Sequence, residues 1–339
     1  MLNRREFQTR LAAAGIGGLS LWLPGCEQRK PIPTTGASGA PLAAKPVVIG
    51  MIAKSQSNPV FLAARKGAED RAKTIGEELN TSVRIDWRTP DDEDAQQQAE
   101  FIEQLVAAGA DAITIACSDA AKVTRAIDDA IERGVSVMCF DSDAPESNRL
   151  CYVGTDDEDA GRQVMRETIA LLGDREGTIA ILAGNQTATN LQKRVRGARE
   201  ELEGQAGKLT LKDVYYHKET PQDSYAQVES VQKANPDIVG WAMIGGWPLM
   251  TERALPWTAG DVVCVSMDTL PAQLEHLRMG DVQVLLGQQY YYFGQQCVDI
   301  LAQKSINDAA PAQEVDFAAL DRVTGENVEE YAKNWEKWS

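Results

Sequence analysis

Runs of branched apolar residues recur along this chain, and each is followed by a stretch with helical spacing. The first, VVIGMIA at 47–53, is continuous rather than alternating, as in a strand covered on both faces. In the segment after it, Phe61, Ala64, Ala68, Ala72 and Ile75 fall on one helical face. The pattern repeats through VRIDWR, AITIAC, VSVMCF and the short LCYVG. It restarts after Thr155 through GTIAILAG, LTLKDVYYH, IVGWAMI, DVVCVSM and VQVLLGQ, with a short helix expected near PLMTERAL and a tail read as one strand and one short helix. Repeated β-α-β of this kind implies parallel sheets with right-handed crossovers. The fold class is therefore α/β, with two doubly wound lobes of similar plan.

The length of 339 residues suits two domains, and 43% hydrophobic content supplies a sizeable core without metals or disulfides. With 50 acidic against 34 basic residues the formal charge is −16, which argues against a nucleic-acid surface and against charge-driven docking on anionic lipid. Besides Cys26, Cys117, Cys139, Cys151, Cys264 and Cys297 match no metal spacing, and buried free thiols are expected.

The N-terminus reads as a targeting segment. Arg4 and Arg5 precede a short run of small and apolar residues, Leu11 to Leu23, too short for a bilayer span of roughly 20 residues. The paired arginines resemble a twin-arginine signal, with a general export signal as the alternative. LPGC, ending at Cys26, resembles a lipobox whose cysteine is lipid-modified. Residues 1–25 are thus expected to be an export signal and 26–46, rich in Pro, Gly, Ala and Thr, a flexible tether from a lipid anchor.

Ligands of doubly wound sheets sit beyond the carboxyl ends of the strands. Polar and aromatic residues collect there: Asn58 and Phe61 after the first strand, Asp141, Ser142 and Asp143 after the fourth. In the second lobe they are Asn190 and Arg194, then Trp247, Asp268 and Gln288. Carboxylates and planar amide or guanidinium donors match sugar hydroxyls, and aromatic faces cover the C–H face of a sugar ring. The plain alternatives are turn capping for Asp141 and Asp143, a solvated helix face for Arg194 and core packing for Trp247. At least one of Tyr290 to Tyr292 is expected to pack. Enzyme chemistry has little support. His217 and His276 lie away from these strand ends, and no nucleophile elbow, phosphate loop or zinc spacing occurs, so neither metal nor cofactor is expected.

The motifs SNPVF, FDSDAPESNRLCYVGTDDEDAGR, NLQKRVRGA, VSMD and GQQYYYFG together resemble the ribose-binding type of periplasmic sugar-binding protein, the solute receptors of ABC importers. The resemblance runs from about Pro46 to the tail. It implies two lobes joined by three crossovers, with lobe one at 47–155 plus 289–312 and lobe two at 156–288 plus 313–339. It also implies a carbohydrate or polyol held by Asn58, Phe61, Asp141, Ser142, Arg194, Asp268 and Gln288, with Asp143, Asn190 and Trp247 as further candidates. An ABC permease is the implied membrane partner, and the receptor is expected to be a monomeric, exported lipoprotein. Gly246-Trp247, Val60 and Ser142 depart from the ribose pattern, which leaves the ligand's identity open. A ligand-presenting sensor and a diverged extracytoplasmic hydrolase are the alternative functions.

Overall fold

The computed structural model describes residues 45–205 and 207–339. The expected export signal, Cys26 and all of the tether but Lys45 and Pro46 lie outside them.

Lobe one is a six-stranded sheet flanked by helices. Its strands are β1 (Val47–Ile52), β2 (Val83–Trp87), β3 (Ala112–Ile115), β4 (Ser136–Phe140) and β5 (Tyr152–Gly154), all parallel, with β11 (Val315–Phe317) beside β5. Helices α1 (Val60–Glu78), α2 (Ala95–Ala107) and α3 (Ala120–Glu132) make the crossovers. The inner strands are largely apolar on both faces because helices cover both, and β3 is buried throughout. Asp94 and Asp119 start α2 and α3 by accepting backbone N–H bonds from the first turn.

Lobe two repeats the plan with β6 (Gly177–Ala183), β7 (Leu209–Tyr216), β8 (Ile238–Met243), β9 (Val263–Met267) and β10 (Val284–Gly287), closed by the antiparallel β12 (Asp321–Val323). The two sheets have the same order, β11-β5-β4-β3-β1-β2 and β12-β10-β9-β8-β6-β7. Helices α4 (Asp157–Leu172), α5 (Thr189–Glu203), α6 (Pro221–Ala234) and α7 (Pro271–Met279) belong to this lobe. The two-lobed α/β expectation holds.

The chain crosses between lobes after β5, after β10 into α8 (Tyr290–Asn307), and between β11 and β12. The third crossing corrects the expected boundary at 313, because Val315–Phe317 pairs with β5 and so belongs to lobe one. A three-residue strand carries too little pattern to reveal its partner. The tail likewise holds two strands and two short helices, α9 (Val328–Ala332) and α10 (Trp335–Trp338), where one of each was expected. Trp338 of α10 stacks on Tyr291 of α8 with ring centroids 6.2 Å apart, so the tail also touches lobe one. The helix expected near PLMTERAL is a single 3-10 turn, Trp247–Met250.

One helix pair in lobe two is packed unusually close. A Cβ on Gly161 of α4 would lie 1.9 Å from the Arg194 carbonyl oxygen, and one on Gly197 of α5 would lie 1.9 Å from that of Glu158. Only glycine permits this approach, which carries Arg194 of α5 to Asp157 at the start of α4.

Candidate functional site

The C-terminal ends of both sheets face each other across a cleft. Asp141 follows β4 and Asp268 follows β9, at matching places in the two lobes. Both take left-handed backbone angles, φ 57° and 70°, and both are buried. Each is held by its own N–H, which donates to Val153 and to Leu286 of the neighbouring strand at 3.0 and 2.8 Å. A non-glycine residue in this region is costly, and aspartate is among the residues that tolerate it.

A continuous polar chain joins the two carboxylates. The Tyr290 hydroxyl donates to Asp141 Oδ1 at 3.0 Å and accepts from Gln288 Nε2 at 2.9 Å. Gln288 Nε2 also donates to Asp268 Oδ1 at 2.8 Å, while its Oε1 accepts from Arg194 Nη2 at 2.7 Å and from Thr155 Oγ1 at 3.2 Å. Arg194 also donates from Nε to Asp157 Oδ1 at 2.9 Å and from Nη1 to the Ile244 carbonyl at 3.2 Å. Lys54, buried at the tip of β1, donates across the cleft to Asn190 Oδ1 at 3.3 Å and lies 4.0 Å from Asp141 Oδ2.

Burial governs the electrostatics of this floor. It pushes the carboxyls of Asp157 and Asp268 above the usual range, against the pull of Arg194. It pushes the Tyr290 phenol well up, with Asp141 and Asp268 adding to the shift. Burial alone would lower Lys54 and Arg194. The carboxylates of Glu93, Asp141 and Glu219 outweigh it at Lys54, and Asp157 leads those that do so at Arg194, so both end raised.

Toward the mouth the cleft widens into a chamber of about 670 Å³, whose walls include Ser55 and Glu93 from lobe one and Asn185, Tyr216, His217 and Glu219 from lobe two. The carboxyl of Glu219 from lobe two lies beside that of Glu93 from lobe one and favours its protonated form. Burial first, and then Glu219 beside it, push Glu93 up to about 8 despite the opposing Lys54.

The expected site residues divide. Asp141, Asn190, Arg194, Asp268 and Gln288 converge on the floor. Phe61 is a packing residue, edge-on to Phe140 and to Tyr290 at centroid distances of 6.4 and 5.9 Å. Asn58 turns back on its own helix, its Oδ1 accepting from Val60 N at 3.3 Å. Both Asp143 oxygens are engaged by Arg149, and one also by Ala144 N, so Asp143 serves its turn. Ser142 is buried, its carbonyl accepting from Cys117 N at 3.1 Å. Trp247 lies within the core of lobe two, with the His217 ring 4.9 Å away and edge-on.

Sequence reading missed Lys54, Asp157, Glu93 and Glu219, and it did not count the end of β7, which His217 directly follows, among the strand ends that meet at the cleft. Tyr290 was expected only as one of three tyrosines. His276 is buried between Asp281 and the Thr251 carbonyl. The five cysteines among the described residues are buried free thiols. No group of metal ligands occurs among the described residues, and no helix there is long and apolar enough to cross a membrane.

The fold and the facing strand ends define a two-lobed receptor of the type I periplasmic binding class. The periplasmic binding protein domain family matches residues 49–308, and the chain belongs to it. It is 26% identical over 170 residues to the D-ribose/D-allose-binding protein of Pseudomonas aeruginosa, covering 48% of this chain and 51% of that one. It is also 26% identical over 156 residues to the ribose import binding protein RbsB of Bacillus subtilis, covering 45% and 48%. The chain thus spans about half the length of the curated relatives it matches. Among solved structures, an ABC transporter solute-binding protein of Burkholderia graminis in complex with D-arabinose superposes with a TM-score of 0.75 at 24% identity, covering 85% of this chain and 98% of that one. The arabinose-binding protein AraP of Geobacillus stearothermophilus does so at 0.69 and 25%, covering 84% and 99%.

Proposed function

We propose that this protein is an exported, lipid-anchored receptor that captures a carbohydrate or polyol between its lobes and delivers it to an ABC importer. The observation that carries the reading is the cleft itself. Hydrogen-bonding groups from both lobes meet at the carboxyl edge of both sheets, and a chamber of about 670 Å³ opens above them. That volume suits a small ligand, and most residues around it carry hydrogen-bonding groups, as a hydroxyl-rich solute requires.

Asp141, Asn190, Arg194, Asp268 and Gln288 form the floor of the cleft, so capture and closure draw on neighbouring groups. Each hydroxyl left unmatched on closure would cost about 1–3 kcal/mol, which gives selectivity. Ligand binding favours the closed arrangement by its differential affinity, and the importer reads that arrangement. Turnover of the solute is not part of this reading. The names of the relatives, which bind ribose, allose or arabinose, support a monosaccharide-sized ligand.

Calorimetric titration of the full chain in detergent against pentoses, hexoses, inositols and linear polyols tests the capture. One tight site per chain is expected, and no binding by any panel member would remove the carbohydrate reading. Fatty-acid labelling tests the anchor. Cys26→Ser is expected to lose the label and to release the protein from membranes.

A further inference from the structure

The tail holds the two lobes by different means. On lobe two it is fixed by the β12–β10 pairing and by directional bonds. Trp335 Nε1 donates to the Thr269 carbonyl at 2.7 Å, the hydroxyls of Tyr331 and Thr269 lie 2.8 Å apart, and Glu329 pairs with Arg278 of α7 at 2.7 Å. On lobe one its contacts are ring faces, apolar packing and charge. The Trp338 ring stacks on Tyr291 with 24° between the planes, and Lys337 Nζ lies 4.8 Å from the centre of the same ring. Tyr291 in turn donates to Asp70 Oδ2 of α1 at 2.9 Å, and that carboxylate is within reach of the Lys337 charge.

Both anchor points adjoin the floor. Thr269 follows Asp268 and Tyr291 follows Tyr290, so the tail spans the two ends of the Asp141–Tyr290–Gln288–Asp268 chain. A gap of about 10 Å³, room for about one water, separates Trp335 and Trp338 from Asp268, Gln288 and Tyr290. The two indoles pack against the cores of both lobes. They meet each other edge-on at 5.5 Å, and Tyr331 meets Trp338 edge-on at 5.8 Å. A stacked aromatic pair contributes beyond the area it buries, and a cation over the ring adds to it. The hydrogen bonds to Thr269 stay with lobe two when the lobes separate. The ring stack is the joint that must slip, because Trp338 is carried by lobe two and Tyr291 by lobe one.

We propose that residues 331–338 form an aromatic clasp between the lobes, carried by lobe two and seated on Tyr291 of lobe one, which favours the closed arrangement and is released when the cleft opens. Its side chains stand against the floor residues rather than in the chamber, so the clasp acts on closure and leaves the choice of solute to the floor. It goes beyond the capture reading, since it holds the lobes with no solute present.

Pulsed electron spin resonance on the full chain in detergent tests it, with spin labels on Arg125→Cys of α3 and Asp174→Cys just beyond α4, both well exposed. The native cysteines among the described residues are buried. Without solute, Trp338→Ala and a chain ending at Asn334 are each expected to lower the ratio of short to long inter-lobe distances about three- to tenfold. Tyr291→Leu removes the same contact from the other lobe and is expected to match Trp338→Ala, with the double variant adding less than about twofold. Tyr292→Ala, on the neighbouring exposed ring, is the control and is expected to change nothing. A parent found only at the long separation, variants with the parent's ratio, or fully additive losses would overturn the proposal. Circular dichroism checks folding. Should the tryptophan variants fail to fold, Lys337→Glu decides, because it is exposed and leaves both cores intact; a shift of about twofold in the same direction is expected, and none would overturn the clasp. These distances are read before any sugar is added, so failure of the clasp and failure of capture are told apart. For whichever pentose, hexose or inositol binds the parent, Trp338→Ala is expected to speed release about three- to tenfold, and an unchanged rate would break the link to closure.

Discussion

The two lobes repeat one another more closely than their sequences do. Asp141 and Asp268 occupy matching strand tips, Glu93 and Glu219 follow the matching strands β2 and β7, and Thr155 and Gln288 follow the matching glycines 154 and 287. The close helix pairs match as well. Gly67 and Gly294 bring α1 against α8 in lobe one as Gly161 and Gly197 bring α4 against α5 in lobe two. The backbone plan is shared, and the side chains that break it are few. Lobe one puts the long cation Lys54 at the tip of β1, where lobe two has Gly184 and Asn185 at the tip of β6. Lobe one has Thr155 where lobe two has the four-bonded Gln288. The floor is built mostly from lobe two, with Lys54, Asp141 and Tyr290 entering from lobe one, and the chamber above is lined from both. A two-fold scaffold supplies paired carboxyls at two levels, Asp141 with Asp268 on the floor and Glu93 with Glu219 at the mouth.

The largest test of this asymmetry is the buried ion pair of lobe two. Asp157→Ala strands the Arg194 guanidinium in the interior and is expected to cost about 3–5 kcal/mol in denaturant unfolding. Lobe one has its own buried pair, Asp143 with Arg149, but Glu314 lies 3.8 Å from that arginine. Asp143→Ala is therefore expected to cost less. Equal losses would mean that the Arg194 network is no more committed than an ordinary turn pair. The glycine contacts test the shared plan instead. Gly161→Ala and Gly294→Ala each force a helix pair apart by the same geometry, and each is expected to cost about 1–3 kcal/mol. A much smaller loss in one lobe would show that its helix pair relaxes and that the equivalence is only topological.

Much of this plan was legible because parallel strands covered on both faces read as unbroken apolar runs, as VVIGMI and AITI do. The floor was legible in part because Asp141, Arg194, Asp268 and Gln288 stand directly after such runs or on the helix that follows. β11 was not, since three residues carry no period. Glu93, His217 and Glu219 were missed for a different reason. They follow β2 and β7, half-exposed edge strands whose mixed burial blurs where each strand ends, and they matter only through partners in the opposite lobe. One signal was available. The loops TPDDEDA and HKETPQD are both acidic and both follow the second strand of their lobe.

The carboxyl pair at the mouth makes a pH test of smaller size. Glu93 is raised to about 8 in the folded protein against a usual value of 4.5, so the native state keeps its proton longer than the unfolded chain does. Its contribution to stability is thus fully present below about pH 4.5 and is lost as pH rises toward 8, by up to about 1.4 kcal/mol per pH unit. Glu93→Gln is expected to flatten the profile of unfolding free energy against pH in that window. If the slope survives the substitution, the titration belongs to another group. Asp268, also raised by burial, is the control on the floor, and Asp268→Asn is expected to leave the slope near pH 8 in place.

The smallest effect is the most specific. Thr155 and Gln288 hold the same position in the two lobes and bond to each other at 3.2 Å. Thr155→Val keeps the shape and removes one donor, while Gln288 Oε1 keeps its bond from Arg194, so the expected cost is about 0.5–1 kcal/mol. Gln288→Leu at the matching site strips partners from Arg194, Asp268 and Tyr290 together and is expected to cost several times more. The comparison is read in one unfolding series, with small-angle scattering to follow the separation of the lobes. A Thr155→Val loss as large as that of Gln288→Leu would mean that the crossovers themselves, rather than the amide between them, hold the cleft shut. The expected inequality would instead fix the break in symmetry on one side chain, since the backbone at 154–155 and 287–288 is laid out alike and only Gln288 is long enough to reach both carboxylate-bearing sides of the cleft.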